Sequence, residues 1–357
     1  MRNETPYGEI HIKYDNYSLD GKNYKQIPVE EKMQKKDKIS LFVTACILGF
    51  CVLAFYYFGD SVVALLRKSI LYKYYMSDQS AFFITQMIHS LLCIFVPFSI
   101  GGLLLKPIHK ERDLLPLNKT KEPHDIWLGL GIGFVSLVVS NYLTSFFVLA
   151  TEHFGFYFET AEIPTVETPL DFFWQVAGSA LVPALVEEFS MRGIFMQSMR
   201  KYGDKFAIVS SAIIFALLHG NMVQAPFAFI LGCIIGWVVV VTDSLWVGIA
   251  IHFMNNFYAV AMNTVVENVP TYVAVFVFLV INGVGVALGI YSFIRFNNKH
   301  NANRNGFGLN EPGGNTVGAR MKYRFQVLFY TLLAAPMTIA LIILIQDVSS
   351  RVHFIGS

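Results

Sequence analysis

The sequence predicts an all-α fold, a polytopic bundle of about eight or nine membrane-spanning helices around a four-helix core. Three observations carry this expectation. The chain of 357 residues is 54% apolar and only 15% charged, with a mean hydropathy of +0.50, whereas soluble domains carry about 25% charged residues. Its apolar residues gather into runs of the ~20 residues that cross ~30 Å of hydrocarbon. Only three formally charged residues, Glu187, Glu188 and Arg192, fall inside those runs.

The runs are Ile39–Phe58, Ala81–Leu105, Ile126–Ala150, Phe172–Met199, Phe206–His219, Ala225–Val241, Leu245–Met262, Tyr272–Ile294 and Phe325–Ile345. Their length favours helices, because barrel strands need only ~9–11 alternating residues. The fourth run is overlong and the fifth is short. No repeat stands out at a fixed period.

Lysine and arginine orient the chain. Eight precede the first run, and placing successive loops on alternate sides collects 23 of the 27 on one side. That excess predicts a cytoplasmic N-terminus in a multi-pass cell-membrane protein. The loop 151–171 has no basic residue but carries Glu152, Glu159, Glu162, Glu167 and Asp171. Polar residues 1–38 precede the first run, so no secretory signal is expected. A net charge of +2 gives no reason to expect nucleic acid.

The remaining stretches read more simply. Ser61–Met76, with Arg67, Lys68 and three tyrosines, suggests a helix lying in the outer interface. Asn297–Arg320 is rich in Asn and Gly and suggests a flexible loop. Cys46, Cys51, Cys93 and Cys233 lie in apolar runs without metal-ligand or CxxC spacing, so they are expected to pack as small hydrophobes. Trp127, Trp174 and Trp246 sit near run ends, where tryptophan anchors to the interface. His89 is expected to bond between helices.

The fourth run holds the group that calls for a function, because ionisable residues at bilayer depth cost at least ~2.5–3.5 kcal/mol. On a helix, Glu188 and Arg192 are four apart and face each other. Glu187 points about 100° away, which leaves it free to act as a general base. Two other runs bring one histidine each. His219 ends the fifth, and His252 shares a face of the seventh with Asn256. From their helix ends, at ~1.5 Å per residue, these groups reach comparable depths.

The motifs Glu187-Glu188-x-x-x-Arg192, Phe215-x-x-x-His219 and His252-x-x-x-Asn256 resemble those of the CAAX protease and bacteriocin-processing (abortive-infection) family of intramembrane endopeptidases. The resemblance covers roughly Phe172–Tyr258, and the segment from Phe215 to Gln224 looks bacterial. It implies peptide-bond hydrolysis of a membrane protein or peptide. Glu187 and His219 would activate water, with His252 and Asn256 as oxyanion stabilisers and Glu188–Arg192 as a structural ion pair. It also implies a site open to the cytoplasmic side.

The domain reading follows: a cytoplasmic segment 1–38, helices in 39–171, a catalytic core of four helices in 172–262, and C-terminal helices in 263–357 with a flexible loop 297–320. The favoured scheme needs no cofactor. A zinc-dependent version would use Glu187, His219 and His252, an acceptable catalytic set. Two other classes stay open. One is a non-catalytic membrane scaffold or immunity protein, which need not retain all four polar residues. The other is a transporter, against which stands the lack of matching broken helices in two halves.

Overall fold

The computed structural model describes residues 33–68, 79–118, 120, 124–158, 166, 168–301, 309, 312 and 317–354. Among them are ten helices and one small sheet. Helix α1 is Lys35–Lys68. Helix α2 starts as Gln79–Ser90, passes through a π-helical turn at Leu91–Phe95 and continues as Val96–Leu105. Helix α3 is His124–His153. Helix α4, Pro169–Tyr202, contains two π-helical turns, Ala177–Leu181 and Phe189–Phe195. Then follow α5 (Asp204–Leu218), α6 (Gln224–Thr242), α7 (Leu245–Asn268), α8 (Thr271–Asn301), α9 (Val317–Leu333) and α10 (Ala335–Ser350).

Among the described residues, seven spans pass on length and apolarity: the crossing parts of α1, α2, α3, α4, α6, α7 and α8. The protein is a multi-pass membrane protein. Two of the nine expected spans differ from the reading above. Helix α5 has 15 residues and rises about 22 Å, short of the hydrocarbon thickness. The ninth is not one helix: α9 and α10 meet at an 83° bend. Pro336, second in α10, has no N–H to continue the α9 ladder, and Ala334 before it is extended at ψ 101°.

Two loop expectations also need correction. Ser61–Lys68 continues α1 rather than forming a separate interfacial helix, and 69–76 lies outside the described residues. Asn297–Asn301 is the end of α8 rather than loop; most of the rest of 297–320 is outside the described residues. The sequence reading also missed a short antiparallel pair, β1 (Phe156–Phe158) with β2 (Val352–Phe354), which ties the chain after α3 to the chain after α10.

Small residues let the helices approach, as in membrane interiors generally. Gly129 and Gly133 on α3 face Val247 and Ile251 of α7. On α8, Gly285 faces Phe134 of α3 and Gly289 faces Val135. Cys51 and Cys93 are buried, Cys46 and Cys233 half-buried, and all four are free. His89 packs edge-on against Phe55 of α1.

Polar ties separate the two ends of the bundle. At one end Lys201 pairs with Asp37 at 2.7 Å, Arg200 with Asp204 at 2.8 Å, and Lys299 with Asp125 at 2.8 Å. There the Leu245 amide donates to Pro116, and the Ser244 hydroxyl to Asn118. This is the basic end. The other carries the β1–β2 pair, the Val166 amide bonded to Glu267, and Asp347 with Arg351.

At the basic end His109 is buried, its Nε2 2.9 Å from the Thr44 hydroxyl. Burial, then Lys201 and Arg112, push its pKa down from 6.5 to about 4. The unfolded chain therefore takes up this proton before the folded one does. Its contribution is undiminished above pH 6.5, and stability falls as pH drops toward about 4. Melting in detergent across this window should show that slope, and His109→Gln should flatten it. An unchanged slope in the variant would refute the assignment.

Candidate active site

Helix α4 positions the acidic motif, and its pitch is not uniform. Pro183 sits just after the first π turn, as Pro97 does in α2. A widened turn accommodates a residue that lacks an N–H. The second π turn holds Arg192 and loosens the local backbone ladder. Side chains meet carbonyls there: Ser211 of α5 donates to Met191 O at 2.9 Å, and Gln197 to Arg192 O at 3.3 Å.

Glu188 and Arg192 are both fully buried. Arg192 Nη1 donates to Glu188 Oε1 at 2.9 Å, and the guanidinium carbon lies 4.3 Å over the Phe215 ring. Glycines make room for the charges. A methyl at Gly248 would sit 3.2 Å from Glu188 Oε2, and one at Gly232 would sit 3.0 Å from Arg192 Nη2. Such a buried pair is held by its geometry, since desolvation costs each ion several kcal/mol.

His252 joins the pair from α7. Its Nδ1 donates to Glu188 Oε1 at 2.8 Å, and its Nε2 faces Glu187 Oε2 at 3.8 Å. The tie to Glu188 keeps a proton on Nδ1 and turns Nε2 toward Glu187. Glu187 is the carboxylate with room, its side chain 21% exposed against 0% for Glu188.

His219 caps the C-terminus of α5, its Nδ1 2.8 Å from Phe215 O. The Phe215 ring stands edge-on to both histidines, 4.8 Å from His219 and 5.7 Å from His252. Gly220 follows at φ +68°, a left-handed turn that suits glycine. Asn221 then accepts from the Gln224 amide at 2.7 Å and starts α6.

Asn256 is one turn beyond His252. Its Nδ2 donates to Ser179 O of the first π turn at 3.0 Å, and its Oδ1 accepts from Asn255 at 2.9 Å. The structure therefore gathers Glu187, Glu188, Arg192 and His252 into one cluster, links His219 to it through Phe215, and ties Asn256 to the helix that carries the acids. The sequence reading used Phe215 only as a motif letter. Its place between two histidines and an arginine is the contribution it missed; the motif Phe215-x-x-x-His219 was the available signal.

A zinc ion would need at least three donors. Glu187 Oε2 and His252 Nε2 are two that face each other. Among the described residues, no three His, Cys, Asp or Glu side chains form a group able to hold a metal. These side-chain positions do not fit the ion. A separate cavity of about 290 Å³ lies beside α4, lined by apolar side chains including Val186, Phe189 and Trp246.

The family model described as Type II CAAX prenyl endopeptidase Rce1-like matches residues 169–258, about a quarter of the chain. No curated protein and no solved structure matches it.

Proposed function

We propose, from the match of residues 169–258 to the CAAX-endopeptidase family model, that the chain is an intramembrane endopeptidase of the CAAX protease and bacteriocin-processing family working by a metal-free glutamate mechanism. Its substrate is a peptide bond of a membrane-associated protein or peptide. The observation that carries the reading is the difference between adjacent carboxylates: Glu188 is fully buried with its Oε1 shared by Arg192 and His252, while Glu187 is partly exposed and faces His252 Nε2.

In the proposed step Glu187 takes a proton from a water that His219 orients. The water oxygen bonds to the carbonyl carbon. Charge passing to the carbonyl oxygen is met by Asn256 Nδ2 and by His252 Nε2, which donates when the ring carries a second proton as imidazolium. The C–N bond then breaks, and the proton held by Glu187 goes to the leaving amine. Glu188 fixes the His252 ring by its bond to Nδ1, and Asn256 keeps one N–H on Ser179 O while the other is available to substrate.

A second reading, a membrane scaffold, draws on the same two bonds, since His252 and Asn256 both brace helices. Cleavage of a peptide library by purified protein in lipid separates the two. The protease reading expects cutting by wild type, none by Glu187→Ala or His219→Ala, and an unchanged rate with a strong chelator. Loss with chelator and recovery with zinc would instead make Glu187, His219 and His252 metal ligands. An effect in cells that survives Glu187→Ala, with no peptide cut, would favour the scaffold.

A further inference from the structure

Helix α4 leaves one backbone carbonyl open to α7. In an α-helical ladder the carbonyl of residue 179 takes the N–H of the residue four positions on, residue 183. That residue is proline, which has no N–H to give. The π turn Ala177–Leu181 ends just before it, and the Val182 amide reaches back to Ala177 O. Ser179 O therefore lacks its α-ladder donor. Asn256 Nδ2 of α7 donates to it instead, at 3.0 Å.

This bond and one other fix both ends of the Asn256 amide. A carbonyl oxygen only accepts, so the group facing Ser179 O is Nδ2 and the group on the far side is Oδ1. Oδ1 takes a hydrogen bond from Asn255 Nδ2 at 2.9 Å. The terminal torsion of an asparagine is broad; two anchors hold the amide plane where one would let it swing. One Nδ2 hydrogen is engaged by Ser179 O, and the direction of the other follows from the plane. Asn255 is itself buried. A proline inside a helix is costly and a buried amide needs partners; here each serves the same side chain.

We infer that Pro183 and Asn255 are positioning residues for Asn256: Pro183 keeps Ser179 O free to hold Nδ2, and Asn255 holds Oδ1, so that the second Nδ2 hydrogen is fixed for the carbonyl oxygen of the scissile bond. The inference rests on the protease reading for what Asn256 does; the clamp on its amide is a property of the packing.

Pro183→Ala restores an N–H to the α4 ladder, which should capture Ser179 O and release Asn256. It should lower kcat about tenfold or more with KM nearly unchanged, since misplacing a group by about 1 Å can cost about 10²-fold. Its melting temperature should hold or rise, because alanine suits a helix better than proline. Pro97→Ala makes the same change after the π turn of α2 and should leave kcat unchanged. Asn255→Ala should show the kcat loss of Pro183→Ala, and Asn255→Gln, which keeps a donor, should recover part of it. Asn256→Ala alone should lose about 10²-fold or more, and in that background neither Pro183→Ala nor Asn255→Ala should cost anything further. Wild-type kcat in both Pro183→Ala and Asn255→Ala, or their full losses added on top of Asn256→Ala, overturns the inference. Wild-type kcat in Asn256→Ala removes Asn256 from the oxyanion and the inference with it.

A second readout needs no catalysis. In protein labelled with ¹⁵N-asparagine, the Asn256 side-chain signal is identified by its loss in Asn256→Ala. It should move in Pro183→Ala and in Asn255→Ala and stay in place in Pro97→Ala. A signal that neither variant moves overturns the clamp. A protein that cuts no peptide but shows these shifts keeps the clamp and loses the protease reading.

Discussion

Glu187→Gln should lower peptide cleavage by about 10²–10⁴-fold, the usual contribution of a general base, with little change in thermal stability. The two effects separate because of what Glu187 touches. It does not share the Arg192 pairing of its neighbour, and its contact with His252 Nε2, at 3.8 Å, is longer than a direct hydrogen bond. The amide keeps the size of the side chain and removes its ability to take a proton from water. Rate and melting temperature measured on the same preparation check both halves. A variant that cuts at the wild-type rate would remove Glu187 from the chemistry.

Arg192→Met should have the largest effect on folding, a loss of about 3–5 kcal/mol, because removing one partner strands the other's charge in the core. Glu188 is fully buried and would keep only His252 beside it. The variant also loses the guanidinium over Phe215, the ring that links the two histidines. The double variant Glu188→Gln/Arg192→Met should recover part of the stability, since no isolated charge remains. Melting of the wild type and both variants in one detergent decides it. Equal losses in the single and double variants would mean that lost packing, rather than stranded charge, is responsible.

The elements that could be anticipated are those set by local spacing. Runs of apolar residues mark helices in any membrane-sized bundle, and the four-residue step from Glu188 to Arg192 brings an acid to a base on any helix of roughly α pitch. The difference in partners between Glu187 and Glu188 follows from the same step. What escaped the reading depends on partners distant in sequence. The π turn around Arg192 is supported by Ser211 of another helix. The bond from His252 to Glu188 spans 64 positions. The β1–β2 pair joins segments of three residues with most of the chain between them. The break at Pro336 does have a local signal, since a proline in the middle of an apolar run removes a ladder bond, as do the π turns before Pro97 and Pro183.

The position of Asn256 shows how far spacing reaches. Four residues after His252, it was expected on the same face and available to an oxyanion. The structure keeps it near the site but gives one donor to Ser179 O. That carbonyl belongs to a π turn next to Pro183, where the backbone ladder departs from α geometry. Asn256 therefore braces the helix that carries the acids, and its proposed catalytic role rests on its second N–H.

The most direct test of the central claim, that Glu187 activates water for peptide hydrolysis, is cleavage in ¹⁸O-labelled water. Purified protein in lipid is incubated with membrane-associated peptides, and the products are weighed by mass spectrometry. The account predicts one ¹⁸O in each newly formed carboxyl terminus, appearing with wild type and absent with folded Glu187→Gln. Label appearing at the same rate in both proteins would contradict it.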